Sequence, residues 1–139
     1  MSEQQFINDE LFKAVKRGTI DEIINLVNNC DAAVNAVDEY GCTPLMRAAY
    51  RGDNNILHFL LFKGANQAVT NKMGWTALMG AAFAGHLDTV IILVAIEPML
   101  IFKKDEAGLT ATDKAEKNRH IKIVDFLERM EIKLRPPRQ

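Results

Sequence analysis

The chain has little of what small enzymes and small secreted proteins depend on. Its single serine, Ser2, sits at an end where chains fray, which argues against a Ser-His-Asp hydrolase. Two cysteines, Cys30 and Cys42, are too few for a disulfide framework or a zinc pattern and read as reduced thiols of a cytoplasmic protein. Neither sign of charge is in excess. Seventeen basic side chains stand against eighteen acidic ones, net −1, so no strong field points to nucleic acid or to an anionic membrane. The longest apolar run, Val90 to Ile96, is far short of the roughly 18 residues that a membrane helix needs. The start, Met1-Ser2-Glu3-Gln4-Gln5, is polar, has no basic residue and precedes no apolar core, so it does not read as a signal peptide.

What is present is a globular composition and a repeat. Of 139 residues, 48% are apolar and 25% charged, which fits one folded domain and excludes wholesale disorder. The stretch Gly41-Cys42-Thr43-Pro44-Leu45-Met46-Arg47-Ala48-Ala49-Tyr50-Arg51-Gly52 returns as Gly74-Trp75-Thr76-Ala77-Leu78-Met79-Gly80-Ala81-Ala82-Phe83-Ala84-Gly85 after 33 residues. A weaker copy begins at Lys104-Asp105-Glu106-Ala107-Gly108-Leu109-Thr110, with Gly108 34 residues after Gly74. A degenerate first copy keeps Ala14-Val15-Lys16-Arg17-Gly18, with Gly18 34 residues before Gly52.

These residues resemble the ankyrin repeat, whose core reads Gly-x-Thr-Pro-Leu-His-x-Ala-Ala on a 33-residue period. Met46 and Met79 stand where that family usually has His, and Ala77 and Ala111 where it has Pro. The segment Ala95 to Phe102 departs from the family's usual loop. The resemblance implies an all-α solenoid of about four helix-turn-helix repeats whose first and last copies act as caps. The expected divisions are an N-terminal tail at 1–8, a degenerate capping repeat at 9–36, repeats at 37–69 and 70–103, a C-terminal capping repeat at 104–131 and a basic, proline-containing tail at 132–139.

Local chemistry agrees with that reading. Thr43 suits the cap of a helix whose first residue is Pro44, where a missing N–H costs nothing. Gly52 and Gly85 suit the positive φ that closes a helix. Ala48-Ala49 and Ala81-Ala82 are small enough for close approach between neighbouring helices. Thr19-Ile20-Asp21-Glu22 reads as a capping box. Apolar stripes on the second helices run through Ile56, Leu57, Phe59, Leu60 and Leu61, then Val90, Ile91, Leu93 and Val94, then Ile121, Ile123, Val124, Phe126 and Leu127. Polar residues, Lys114, Glu116, Lys117 and Lys122 among them, suit the outer face of the last cap.

The resemblance further implies a protein-binding scaffold that uses its turn tips and first helices. By position, the partner-binding residues are Tyr40, Tyr50, Arg51, Met73, Trp75 and Phe83, a set rich in the aromatic and arginine side chains that dominate interface hot spots. No catalytic residue, cofactor or metal is expected. His58, His86 and His120 lie about a repeat apart without further ligands at metal spacing, so they read as structural. Cys42 falls at a tip, exposed by position but with no base beside it. Residues 1–36 carry net charge −3 and residues 103–139 net +3, and the tail from Lys133 reads as extended and solvated. The leading function is a non-enzymatic adaptor or inhibitor, monomeric on its own, that binds a protein partner. The alternatives are a subunit packing through its end repeats in a larger assembly and, with least support, an enzyme.

Overall fold

The computed structural model describes residues 1–135. Among these residues eight α-helices form four antiparallel pairs: α1 (Glu3–Arg17) with α2 (Ile20–Asn29), α3 (Pro44–Arg51) with α4 (Asn54–Phe62), α5 (Ala77–Ala84) with α6 (Leu87–Ile96), and α7 (Ala111–Lys117) with α8 (Ile121–Leu134). No strand occurs among the described residues. The first helices α1, α3, α5 and α7 stack as one layer and the second helices as another.

Each first helix starts and stops where its sequence dictates. The hydroxyls of Thr43, Thr76 and Thr110 accept the backbone N–H of Met46, Met79 and Asp113, satisfying donors that a helix start leaves open. Gly18, Gly52 and Gly85 end α1, α3 and α5 at φ of 74°, 77° and 86°. At Gly52 and Gly85 a second reason excludes a side chain. A Cβ there would lie 2.6 Å from the imidazole of His86 or His120. Those rings pass over the glycines to reach back one repeat, His86 Nε2 to the Tyr50 carbonyl at 2.9 Å and His120 Nε2 to the Phe83 carbonyl at 3.0 Å. The fourth repeat has Arg119 at the equivalent turn, and it takes φ 59° without glycine's freedom.

Columns of residues in register across the repeats form the core. Ala14, Ala48, Ala81 and Ala115 are all fully buried where the first helices meet. Leu11, Leu45 and Leu78 lie beside them, and Leu60, Leu93 and Leu127 fill the second layer. Each buried leucine stabilises the stack by roughly 1.5–3 kcal/mol relative to exposure. The unusual segment after α6 is a 3-10 turn, Pro98–Phe102, that drives Ile101 into this core.

Several local expectations are corrected. Ser2 is not frayed: it caps α1 by accepting the Gln5 N–H at 3.1 Å, and the helix occupies most of the segment expected as a tail. Thr19 forms no capping box: its hydroxyl accepts no backbone N–H of α2 and faces the Glu22 carboxylate at 3.1 Å and the Ala14 carbonyl at 3.3 Å. Ile91 and Ile121 are exposed, since each lies on the solvent side of its helix. Cys42 is buried, its sulfur turned inward toward the Asn71 amide at 3.5 Å. Lys114, expected on a polar outer face, is buried. Of the expected extended tail, residues 133 and 134 continue α8, and residues 136–139 lie outside the described residues.

Ala82 has no exposed surface. Ala82→Leu should therefore overpack the junction and cost on the order of 1–3 kcal/mol. Urea unfolding of the parent and the variant measures this, and equal midpoints would show that the columns are drawn in the wrong register.

Candidate functional site

The turn tips that precede α3, α5 and α7 are built alike. Asp38, Asn71 and Asp105 occupy equivalent places, and one side-chain oxygen of each accepts two backbone N–H groups of its own tip: Tyr40 and Cys42, Met73 and Trp75, Ala107 and Leu109. Successive tips are also joined, Lys72 N–H to the Tyr40 carbonyl and Glu106 N–H to the Met73 carbonyl, both at 3.1 Å. The tips therefore fix the backbone at Tyr40 and Met73.

The remaining carboxylate oxygen of the two aspartates meets a cation from the first helix of the same repeat. Arg47 donates twice to Asp38, at 2.6 and 3.0 Å. Lys114 donates to Asp105 at 2.5 Å, with both side chains only 4% exposed. Burial alone would raise the Asp38 carboxyl, but Arg47 and the two tip N–H groups together hold it below its ordinary range. The Asp105 carboxyl is held down chiefly by the hydrogen bond from Lys114. The Lys114 ammonium also lies 3.8 Å above the centre of the Trp75 ring, and Arg47 sits 5.8 Å from that of Tyr40.

The central repeat breaks this pattern. Arg47 and Lys114 are in register with Gly80, and Asp38 and Asp105 with Asn71. The ion pair is absent there, and a groove of about 370 Å3 opens between α3 and α5. Tyr40, Tyr50, Met73, Trp75 and Phe83 line it, five of the six residues singled out from the sequence. Phe83 is central to the cluster, its ring 5.2 Å from Trp75 at 62° and 6.5 Å from Tyr50 at 22°. Tyr40, Tyr50 and Met73 are more than half exposed, whereas Trp75 and Phe83 are half-buried. Trp75 is thus a packing residue as well as a surface one. The sixth residue, Arg51, stands in the adjoining hollow between α1 and α3, where it donates to the Lys16 carbonyl at 2.7 Å.

Sequence reasoning missed Gly80, Arg47 and Lys114 as the residues that shape the groove. The signal lay in comparing the repeats column by column: a glycine between two cations, and an asparagine between two aspartates.

The family model for ankyrin repeats, in three copies, matches residues 7–71 and 45–135. The chain belongs to the ankyrin-repeat family. Among its relatives, Notch-regulated ankyrin repeat-containing protein A of Danio rerio is 35% identical over 85 residues, covering 59% of this chain and 76% of the fish protein. An ankyrin repeat protein of fowlpox virus is 34% identical over 85 residues, covering 61% of this chain and 20% of the viral protein. The human inhibitor of Bruton tyrosine kinase is 30% identical over 117 residues, covering 83% of this chain but 9% of that protein. The chain therefore spans a small part of the last two relatives. No helix among the described residues is long and apolar enough to cross a membrane.

The Asp105–Lys114 pair of this ankyrin stack gives a pH prediction. Because the folded state lowers the Asp105 pKa, the pair's contribution is complete above the unfolded aspartate value, about 3.9. It is lost as pH falls from there through the lower folded value. Asp105→Asn should be less stable than the parent near neutrality, and should lose less of its remaining stability between about pH 5 and pH 2. Thermal melts across that range test this, and parallel acid limbs for the two proteins would refute it.

Proposed function

We propose that this ankyrin stack is a non-enzymatic protein-binding module, an adaptor or inhibitor, that holds a protein partner in the groove of its central repeats. The observation that carries this reading is the Gly80 opening, where aromatic side chains converge at the one central position lacking the ion pair of its neighbours. The tips are hydrogen-bonded to one another, so little order has to be created on binding. One relative is by name an inhibitor of a tyrosine kinase, hence of a protein, which agrees with this class of function. The partner-binding side chains are Tyr40, Tyr50, Arg51, Met73, Trp75 and Phe83. The two free thiols, Cys30 and Cys42, favour a reducing compartment, and we place the protein in the cytoplasm as a monomer when unpartnered.

A second reading, a subunit that packs through its end repeats, is favoured by Ile121 and Ile132, both more than three-quarters exposed on α8. One double substitution separates the two. Gly80→Lys with Asn71→Asp rebuilds the missing ion pair and fills the groove. A Cβ at Gly80 meets nothing nearer than Tyr50 Cβ at 3.9 Å, and replacing a helical glycine favours the helix by up to about 1 kcal/mol. The variant should melt no lower than the parent while its affinity for partners captured on the wild-type protein falls at least tenfold. Full retention of those partners by a folded variant would move the site to α8. Tyr50→Ala, which removes a half-exposed ring, should reduce affinity by about 2 kcal/mol or more if it is a hot spot.

A further inference from the structure

Two adjoining hollows of the concave face share Arg47 and Tyr50 as the ridge between them. The hollow between α1 and α3, about 630 Å3, has Phe12 and Val15 in its lining and the cations Lys13, Lys16, Arg47 and Arg51 around them. Its one carboxylate, Asp38, is already bonded to Arg47. The neighbouring aromatic groove has two cations, Arg47 and Lys72, and no carboxylate. In a chain of net charge −1 the linings of this trough thus hold five cations and one engaged anion, with Lys13 and Arg51 paired to Glu10 and Asp53 outside it at 3.2 and 3.9 Å. Lys16 and Lys72 have no ion-pair partner among the described residues.

The positive stretch is short and bounded. Between the start of α1 and the tip at residues 37–39, the adjoining lining carries Asp9, Asp38 and Glu39 with no basic residue. Beyond α5 the next hollow sets Asp105, Glu106 and Asp113 against its lysines. A long polyanion would meet acidic flanks on both sides, whereas a short acidic segment would not. Resting on the concave-face reading above, we infer that the occupant is a short extended peptide that places one or two carboxylate side chains in the α1–α3 hollow and a bulky apolar side chain in the Gly80 groove. Stacked helices lie about 8–10 Å apart and an extended chain advances about 3.3 Å per residue, so the two anchors are about three residues apart. The carboxylates answer Lys16 and Arg51, and Lys72 adds positive charge from the lining of the neighbouring groove. The apolar side chain answers Tyr50, Trp75 and Phe83.

A random-peptide display selection on the full chain, followed by fluorescence anisotropy of the selected peptides, tests this. Enriched sequences should carry Asp or Glu about three positions from Leu, Ile, Met, Phe or Trp. Their affinity should weaken with salt. It should fall about tenfold with Lys16→Glu plus Lys72→Glu, two exposed substitutions whose folding a melting curve checks, and at least tenfold with Gly80→Lys plus Asn71→Asp. Peptides that lose binding to the filled groove but carry no acidic bias and ignore the charge reversal would overturn the inference and leave the groove standing. Selected peptides indifferent to both double variants would overturn the inference and the groove together. Tighter binding of a single-stranded oligonucleotide than of any selected peptide, abolished by the charge reversal, would overturn it in favour of nucleic acid.

Discussion

The stack depends on how closely its first helices can approach one another. The column Ala14, Ala48, Ala81 and Ala115 leaves nothing beyond a methyl group at the junctions, so the α1, α3, α5 and α7 backbones come close together there. Close approach brings each turn within reach of the next repeat, and the histidine links follow from it. His86 and His120 reach the Tyr50 and Phe83 carbonyls only because Gly52 and Gly85 have no Cβ in the way. The same spacing joins tip to tip through backbone hydrogen bonds. A helix pair with one apolar face cannot be stable alone. Here each neighbour supplies the covering surface, and the hydrogen bonds fix the register in which it does so.

That register determines what the concave face displays. Long side chains at the position of Arg47 and Lys114 turn back onto the aspartate of their own tip, which neutralises charge and fills the space above the helix. Gly80 and Asn71 remove both halves of this arrangement at the central repeat, so no buried charge is left unpaired. The result is a groove at Gly80 with no ion pair across it, and Tyr50, Trp75 and Phe83 are its walls. Asn71 retains the tip's hydrogen bonds through its side-chain oxygen and sends its amide to the Cys42 sulfur. The loop geometry of an aspartate is thus kept without its charge.

The period, the caps and the alanine columns were legible in the sequence because each depends on residue type at fixed spacing. Thr43 and Pro44 announce a helix start, and Gly52 its end, with no knowledge of distant contacts. The aromatic cluster was legible for the same reason: position within a repeat determines which side of the helix a residue takes. The departures are residues whose role depends on the particular groups around them and not on residue type at fixed spacing. Lys114 is polar and in an end repeat, yet it is buried because Asp105, nine residues earlier, and the Trp75 ring enclose its ammonium. Thr19 has the sequence of a capping box, but its hydroxyl faces the acceptors of Glu22 and Ala14 and takes no N–H from α2. Ile121 fits an apolar stripe by composition, yet at the first residue of α8 it lies on the solvent side of the helix.

The two ion pairs that flank the groove are not equivalent, and the difference bears on recognition. Arg47 and Asp38 are partly solvated, at 42% and 19% exposure of their side chains, so Arg47 remains open to an incoming anion. Lys114 and Asp105 are enclosed, and water cannot compete for either. A buried pair of this kind contributes little net stability against its desolvation cost, but it is costly to disturb. Its effect is to hold the Trp75 indole between the Lys114 ammonium and the Phe83 ring. One wall of the groove is therefore rigid and aromatic, while the opposite wall, built by Tyr40, Arg47 and Tyr50, is solvated and cationic. A surface with a fixed apolar side and an accessible positive side favours ligands that are themselves two-sided, with an apolar anchor next to a carboxylate. The asymmetry arises from the order of the column Arg47, Gly80, Lys114, because the glycine stands between a wet ion pair and a dry one.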